Sequence, residues 1–236
     1  IAYYPHPKSC IYKLNSRLIN TLIKFQLYLP WVLLKFIYYN FIRIKKYNRK
    51  SILFLSRHSV LNISQSATIN LSHSVIFGWC NMQKSKLETG LYMGKHSLLN
   101  IAGGRGVTTI GYGSYIQVGN NAKLQIGNTF INREVKIICN KNITIGNDCI
   151  IAMGTVIRDN DGGNHRIISP NYTNSKPITI GNHVWIGENV MILKGVTIGN
   201  GAIIGAGSLV TKDIPPRSLA LGSPAKVVRE NIEWEA

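Results

Sequence analysis

A six-residue repeat constrains the fold of this chain more than any other feature. Between residues 178 and 214 a branched aliphatic residue leads each unit, usually followed by glycine, and the leaders six apart are Ile180, Ile186, Ile192, Ile198, Ile204 and Val210. Four residues after each leader come Val184, Val190, Val196, Ala202, Ser208 and Ile214. Each unit predicts one short strand and a corner, and three units predict one triangular coil whose leaders stack inside. The pattern therefore predicts an all-β fold, a parallel β-helix.

The same phase continues upstream, which extends the predicted β-helix to residues 58–214. Ile145, Ile151 and Ile157 lead the earlier units, with Cys149 and Thr155 at the fifth place. Before them the count loosens, and alternating apolar residues indicate irregular first coils that begin near residue 59. A helix over 178–214 is disfavoured, because that stretch is rich in glycine and β-branched residues. Residues 215–236 are expected to form a short C-terminal tail.

A basic, aromatic-rich segment, residues 1–57, precedes the repeats and is expected to be helical. Its longest uncharged stretch, 25–34, contains Pro30, and a membrane-spanning helix needs about 20 apolar residues. Two interpretations remain. Residues 1–50 lie on an anionic membrane surface, or they form a plug that covers the open strand edges of the first coil. The two interpretations are compatible with each other.

The charge of the chain is unevenly distributed. Lys and Arg number 27 against 10 Asp and Glu, a formal net charge of +17, and no acidic residue precedes Glu88. This asymmetry indicates a polyanionic partner such as nucleic acid, an anionic membrane or a phosphorylated substrate. We expect no nucleic-acid partner, because the sequence lacks a binding motif for one and its basic residues concentrate outside the repeats.

The spacing of the cysteines indicates the cellular compartment of the protein. They are widely spaced and without a metal-binding or disulfide-like pattern, at Cys10, Cys80, Cys139 and Cys149. This spacing predicts free thiols in a reducing compartment. No secretion signal is evident. The expected location is the cytoplasm, with a possible contact to the inner face of its membrane through the basic segment.

The repeat is interrupted once, by a polar insertion at residues 158–177. The leader after Ile157 is Ile180, a step of 23 residues that is not a multiple of six, so part of the intervening chain must leave the stack. The insertion contains His165 and two acidic residues, Asp159 and Asp161. Either aspartate is suited to hold an imidazole nitrogen in one tautomer, or to bond backbone amides in a turn.

Residues 126–230 resemble the hexapeptide-repeat acetyltransferases, in particular galactoside and maltose O-acetyltransferases and their capsule and lipopolysaccharide relatives. The most specific stretch, residues 184–230, contains VWIG, GAGSLVTKDIPP and GSPAKVVR. The resemblance implies a left-handed β-helix, a homotrimer with active sites between subunits, and acetyl-CoA as the acetyl donor. It also implies that His165 is the catalytic base and that Asn132 contacts the acceptor or the reacting acetyl group.

The resemblance also implies a set of coenzyme A contacts. Ala206 matches the family position whose backbone meets pantetheine, and Thr211 and Lys212 match the pair that flanks the cofactor. The basic positions near the phosphoadenosine correspond to Lys226 and Arg229, where Lys226 replaces a common Arg and offers a point charge rather than a fork. Two further matches are Trp185, beside the active site, and Glu188, which stands where a smaller polar residue is usual.

The expected function is therefore acetyl transfer to a sugar hydroxyl of a cell-surface polysaccharide or of its lipid-linked precursor. Two alternatives remain: N-acetylation of a nucleotide-linked amino sugar, since the same histidine can deprotonate an ammonium, and a non-catalytic binding scaffold. A zinc hydratase built on the same repeat would need three converging histidines, and the six here lack that spacing. We therefore expect no metal.

Overall fold

The computed structural model describes residues 30–46, 51–79, 87–103, 106–162 and 167–235. Successive strands of the chain belong in turn to three sheets, A, B and C, so that the chain winds around a triangular prism. Within each sheet, neighbouring strands of successive coils run parallel, and their interior residues lie in register from coil to coil, as Ile126 does with Ile145 and Ile101. This is the parallel β-helix that the repeat predicts, and its left-handed form is the one that the resemblance implies.

The strands are short, as six-residue units require. Sheet A contains β1 (Lys45–Lys46), β4 (Thr68–Leu71), β7 (Leu98–Ile101), β10 (Lys123–Ile126), β13 (Asn142–Ile145), β16 (Ile178–Ile180) and β19 (Thr197–Ile198). Sheet B contains β2 (Leu53–Leu55), β5 (Ser74–Trp79), β8 (Val107–Gly111), β11 (Phe130–Ile131), β14 (Ile150–Ile151), β17 (Trp185–Ile186), β20 (Ile203–Ile204), β22 (Leu219–Gly222) and β23 (Ala225–Arg229). Sheet C contains β3 (Ser59–Ile63), β6 (Thr89–Met93), β9 (Tyr115–Val118), β12 (Lys136–Cys139), β15 (Val156–Arg158), β18 (Met191–Ile192) and β21 (Leu209–Val210).

The core fills the inside of the prism and consists of the residues that the repeat predicts. Every leader from Ile145 to Val210 is at most 1% exposed, and the fifth-place residues, including Cys149, Thr155 and Ser208, are buried as well. A fully buried Ile or Val side chain contributes roughly 1.5–3 kcal/mol relative to an exposed one. The stacked aliphatic column therefore supplies most of the stabilisation.

The structure begins before the boundary at residue 58 that the sequence indicates. Helix α1 (Pro30–Ile37) and a π-helical turn (Tyr38–Arg43) lead into β1 and β2, which already belong to the stacked sheets. The buried Asn40 side chain donates to the carbonyl of Leu53 at 2.9 Å and accepts from its amide at 2.8 Å. This contact lies at the strand edge of the first coil, which the plug interpretation concerns. Among the described residues, no helix is long and apolar enough to cross a membrane.

The C-terminal tail, residues 215–236, contains regular structure. Strand β22 continues sheet B in parallel, and β23 then turns back against β22 as an antiparallel hairpin. The two cysteines in the described part, Cys139 and Cys149, are buried inside the prism as free thiols, and burial raises the pKa of each thiol. Cys10 and Cys80 lie outside the described residues.

Candidate active site

The polar insertion leaves the prism where the chain passes from sheet C to sheet A, between the end of β15 at Arg158 and the start of β16 at Ile178. Its two ends are tied together: the Lys176 amide donates to the carbonyl of Asp159 at 2.9 Å, and the Asp161 amide to that of Asn174 at 3.0 Å. The insertion is therefore a projecting loop with a closed base, as the break in the repeat predicts. His165 lies outside the described residues, so its role stays a prediction.

Asp159 is a structural residue of this loop base. Its carboxylate is fully buried and accepts the backbone N–H groups of Asn140, Lys141 and Asn142 at 2.7–2.8 Å. These amides form the turn between sheets C and A in the preceding coil. Charge-assisted bonds to three amides occupy both carboxylate oxygens. The second interpretation of the sequence, that an aspartate here bonds backbone amides, fits these contacts.

Asp161 contacts the following coil instead. Its Oδ2 accepts from Lys194 Nζ at 2.6 Å and from the Tyr172 hydroxyl at 3.0 Å, and the bond to Lys194 holds the pKa of this carboxyl below its usual value. Lys194 also donates to the carbonyl of Thr173 at 2.8 Å and lies 4.1 Å from the centre of the Tyr172 ring. These contacts of Lys194 with Asp161, Tyr172 and Thr173, the loop clamp, fix the loop to the prism. They engage the carboxylate of Asp161, which is the second candidate for supporting His165.

Asn132 lies on a different edge of the prism, where the chain passes from sheet B to sheet C. Its side-chain oxygen accepts a hydrogen bond from the Arg133 amide at 2.7 Å. The carboxamide nitrogen therefore points away from that amide, and its two N–H groups can donate to another molecule. Gly111, one coil earlier, makes this conformation possible, because a Cβ there would lie 2.5 Å from the backbone at Asn132 and Arg133. Asn132 is half-buried, and the Arg133 side chain beside it bonds the Tyr112 hydroxyl at 3.3 Å.

The same B–C edge carries two of the predicted cofactor contacts. Hydrogen bonds between consecutive turns join Gly154 to Arg133, Asn189 to Met153, and Gly207 to Glu188, so that the turns stack in one column. Along this column Asn132, Glu188 and Ala206 follow one another, and Ala206 is exposed. Gly187 must lack a side chain, because a Cβ there would lie 2.6 Å from the Ala206 amide nitrogen. Residues that are 74 apart in sequence thus share one surface.

Trp185 flanks this edge on the outer face of sheet B and is 40% exposed. The C-terminal residues after β23, 230–235, form a strap that reaches it: the Trp234 ring lies 5.9 Å from the Trp185 ring and stacks on His183 at 3.9 Å. Trp234 Nε1 donates to the His183 carbonyl at 3.1 Å, and His183 Nε2 donates to the Trp234 carbonyl at 2.9 Å. The strap therefore supports Trp185 from the side opposite the B–C edge.

The remaining predicted contacts lie elsewhere. Thr211 and Lys212 are exposed at the C–A edge directly after β21, whereas Lys226 and Arg229 are exposed on β23, at the end of sheet B. Exposed cations on a terminal hairpin fit the phosphates of a nucleotide cofactor. Within one chain, Thr211 and Lys212 do not share an edge with Ala206. The predicted contacts are thus divided between two edges of the prism.

Lys194 and Trp234 are the contacts near this site that sequence reasoning missed. Lys194 occupies an ordinary outward position of the repeat, and Trp234 stands five residues past the last strand, so neither belongs to a motif. A long-range pairing, such as that of Trp234 with His183, is visible only once the coils are stacked. In the described part of the chain, no group of three His, Cys, Asp or Glu residues could hold a metal ion.

Comparison with known proteins agrees with this architecture. The family profile of the bacterial transferase hexapeptide (six repeats) matches residues 177–212, and that of the hexapeptide repeat of succinyl-transferase matches residues 139–158. A search of curated protein sequences gives no significant match.

Three solved structures are similar to the chain. The polysialic acid O-acetyltransferase OatWY is 28% identical, with 82% of this chain and 90% of that chain covered and a TM-score of 0.50. The polySia-specific acetyltransferase NeuO is 27% identical over 82% and 88%, with a TM-score of 0.49. The hexapeptide-repeat-containing acetyltransferase VCA0836 from Vibrio cholerae O1 biovar eltor, solved with acetyl coenzyme A, is 33% identical over 55% and 70%, with a TM-score of 0.47. The two repeat profiles and the likeness to OatWY identify the chain as an acyltransferase built from hexapeptide repeats.

Proposed function

We propose that this protein transfers the acetyl group of acetyl-CoA to a sugar hydroxyl of a cell-surface polysaccharide or of its lipid-linked precursor. The observation that carries the proposal is the B–C edge, where an amide donor, Asn132, and the exposed corner at Ala206 lie on one column beside Trp185. Asn132 and Ala206 are three strand steps apart along this column, about 14 Å. Lys226 and Arg229 lie beyond them on the terminal hairpin, where the phosphates of acetyl-CoA would bind.

The residues divide the chemistry between them. His165 Nε2 or Nδ1 takes the proton of the acceptor hydroxyl as its oxygen attacks the thioester carbon, and returns that proton to the departing thiolate. A positioned base of this kind contributes about 10² to 10⁴ in rate. Asn132 donates an N–H to the carbonyl oxygen as negative charge develops there, and such a donor contributes roughly 10² to 10³.

We propose a homotrimer whose active sites lie between subunits. The division of the predicted contacts supports it: Thr211 and Lys212 lie on the C–A edge and Ala206 on the B–C edge, so one chain does not surround a cofactor with all three. Two adjacent subunits with parallel axes would bring the C–A edge of one beside the B–C edge of the other. The loop that contains His165 also leaves from the C–A edge.

One relative supports the proposed class of acceptor. OatWY acts on polysialic acid as an O-acetyltransferase, and its likeness to this chain supports a glycan acceptor and transfer to oxygen. We place the enzyme in the cytoplasm at the inner face of the membrane, where lipid-linked glycans are exposed to a cytoplasmic donor. The cationic first third of the chain supports this location.

The test measures thiol release from acetyl-CoA with a panel of sugars, glycans and lipid-linked glycans. We expect His165→Ala to lower kcat by about 10² to 10⁴. The matched control is His96→Ala, at an exposed histidine of an earlier coil, which should retain the wild-type rate. Hydroxylamine cleaves an acetyl ester and leaves an acetamide intact, so it separates O- from N-acetylation. Equal rates for His165→Ala and wild type would refute the assigned base.

A further inference from the structure

An apolar surface is exposed at the N-terminal end of the prism. Trp31, Leu34, Phe41 and Ile42 are 60%, 66%, 74% and 72% exposed, although all four belong to α1 or to the turn that follows it. With three less exposed neighbours they form a continuous stretch, the N-terminal crest, which consists of Trp31, Leu33, Leu34, Ile37, Tyr38, Phe41 and Ile42. A contiguous exposed apolar surface of this kind indicates an interaction site.

The crest is fixed to the β-helix by polar contacts on its inner side. Asn40 bonds both backbone groups of Leu53, and Arg43 Nη2 donates to the carbonyls of Ser64 and Ala67 at 2.6 and 3.0 Å. Lys35 Nζ donates to the carbonyl of Ser59 at 3.2 Å. These bonds satisfy the polar groups toward the prism and leave the apolar side chains pointing outward. The crest therefore presents a defined face at one end of the molecule.

Charge decides which partner fits that face. Residues 1–50 contain ten Lys and Arg and no Asp or Glu, and the first acidic residue of the chain is Glu88. A second copy of the same end would bring like charges together, which opposes pairing through the crest. An anionic bilayer offers both complements at once, acyl chains for the aromatic and aliphatic side chains and phosphate headgroups for the cations.

We infer that the N-terminal crest docks on the surface of an anionic membrane, with its apolar side chains inserted at the headgroup level. α1 has eight residues, so it lies in the interface rather than crossing the bilayer. The surface is a property of the chain itself and does not depend on the reaction.

Docking by this end orients the site, a consequence that rests on the proposed function. In sheet B the strands follow the order β2, β5, β8, β11, so Asn132, after β11, stands three strand steps from the first coil. At ~4.8 Å per step this is about 14 Å. Ala206, after β20, stands three steps further, and the hairpin with Lys226 lies beyond it. The acceptor end of the B–C edge therefore faces the membrane, and the donor end faces the solvent.

The experiment sediments the full-length protein with vesicles of phosphatidylcholine alone or mixed with phosphatidylglycerol. We expect binding to the anionic vesicles only, and a loss of at least tenfold in Trp31→Ser/Phe41→Ser/Ile42→Ser. The matched control is Ile168→Ser/Val228→Ser, at side chains 88% and 56% exposed on the loop and the hairpin, and it should bind as wild type does. Circular dichroism of the triple variant verifies that the β-helix is intact.

Three results would overturn the inference. These results are vesicle binding by the triple variant equal to that of wild type, failure of wild type to bind anionic vesicles, and dissociation of an oligomer by the substitutions with vesicle binding unchanged. Activity gives a separate readout: the triple variant should acetylate a water-soluble acceptor at the wild-type rate and a vesicle-bound acceptor at least tenfold more slowly. Vesicle binding without any acetyl transfer would refute the proposed function and leave the docking surface in place.

Discussion

Two edges of the prism differ in how closely their turns repeat. The A–B edge uses one turn again and again, with Gly followed by Asn at residues 127–128, 146–147, 181–182 and 199–200. The side chains of the last three accept the backbone amide of the Asn one coil earlier: Asn147 from Asn128 at 2.9 Å, Asn182 from Asn147 at 2.8 Å and Asn200 from Asn182 at 2.8 Å. The A–B edge is thus a continuous ladder of identical bonds.

The B–C edge stacks its turns in the same way but changes residues from coil to coil. Arg133, Met153, Glu188 and Ala206 occupy equivalent positions, and the side chain of Asn132 bonds within its own turn instead of to the preceding coil. We expect an edge whose turns only join consecutive coils to repeat the same turn residues, as the A–B edge does. Departure from the repeat therefore marks the edge that we propose as the site, although both edges are equally regular in backbone structure.

The largest expected effect concerns Asp159. This residue lies in the polar insertion, outside the repeats, yet its carboxylate accepts hydrogen bonds from a turn of the β-helix itself. Asp159→Ala leaves three turn amides without their acceptor, and we expect a loss of about 3–5 kcal/mol in the free energy of unfolding. Urea denaturation measures it. Asp159→Asn keeps one acceptor oxygen and should lose roughly half as much.

The same pair of variants tests the alternative role. If Asp159 held the imidazole of His165, Asp159→Asn would lower kcat by more than tenfold while unfolding at nearly the wild-type urea concentration. We expect the opposite: a lower unfolding midpoint, and a kcat within about threefold of wild type at temperatures where the variant is folded.

Matched asparagines on the two edges give the next largest effect. Asn132→Ala removes a donor that we place at the reacting oxygen, so kcat should fall by about 10²-fold. The lost bond to the Arg133 amide should also cost about 1 kcal/mol of stability. Asn147→Ala removes one rung of the ladder and should cost about 1 kcal/mol of stability with kcat unchanged. Steady-state kinetics gives kcat, and thermal unfolding gives the change in stability, for each of the two variants. Equal losses of kcat in the two variants would remove the functional distinction between the edges.

The smallest expected effect is a pH dependence of the loop clamp. The pKa of Asp161 is lowered in the folded protein by its bond to Lys194, so the clamp contributes stability above the ordinary carboxyl pKa and loses it as the pH falls through the lowered value. Amide exchange of residues 167–176, corrected for the intrinsic pH dependence, should therefore become faster in acid, below about pH 4.

Lys194→Met should make exchange in this loop fast at neutral pH as well and abolish the acid effect. Lys141→Met, at an exposed lysine on the same C–A edge, is the control and should leave the profile unchanged. A wild-type profile in Lys194→Met would show that the clamp does not hold the loop.

The repeating part of the fold was predictable residue by residue. A buried position in a β-helix recurs because each coil covers the one before it, so the leaders from Ile145 to Val210 could be assigned to the core by counting. The loop boundary followed from the same count. Counting did not identify the first coils, since β1 and β2 precede residue 58, β1 consists of two lysines, and the apolar residues of β2 lack the six-residue phase.

The candidate site residues come from resemblance rather than from counting, and their roles stay predictions. That Asn132, Glu188 and Ala206 share an edge depends on how many residues each coil contains, which the irregular insertion hides in the sequence. The roles of Asp159 and Asp161 depend on which backbone amides or lysine side chain of the adjacent coils lie next to them. These neighbours are known only once the coils are stacked in the structure. His165 is expected from the family pattern alone.

The two ends of the prism also determine how copies of the molecule can associate. Asn40 occupies both backbone groups of Leu53 at the exposed edge of the first coil, and β23 turns antiparallel at the other end of sheet B. In the part of sheet B that the structure describes, neither end therefore presents an open parallel strand on which another β-helix could add, which opposes end-to-end growth into fibres through this sheet. Association through the sides of the prism can instead form a closed ring of subunits.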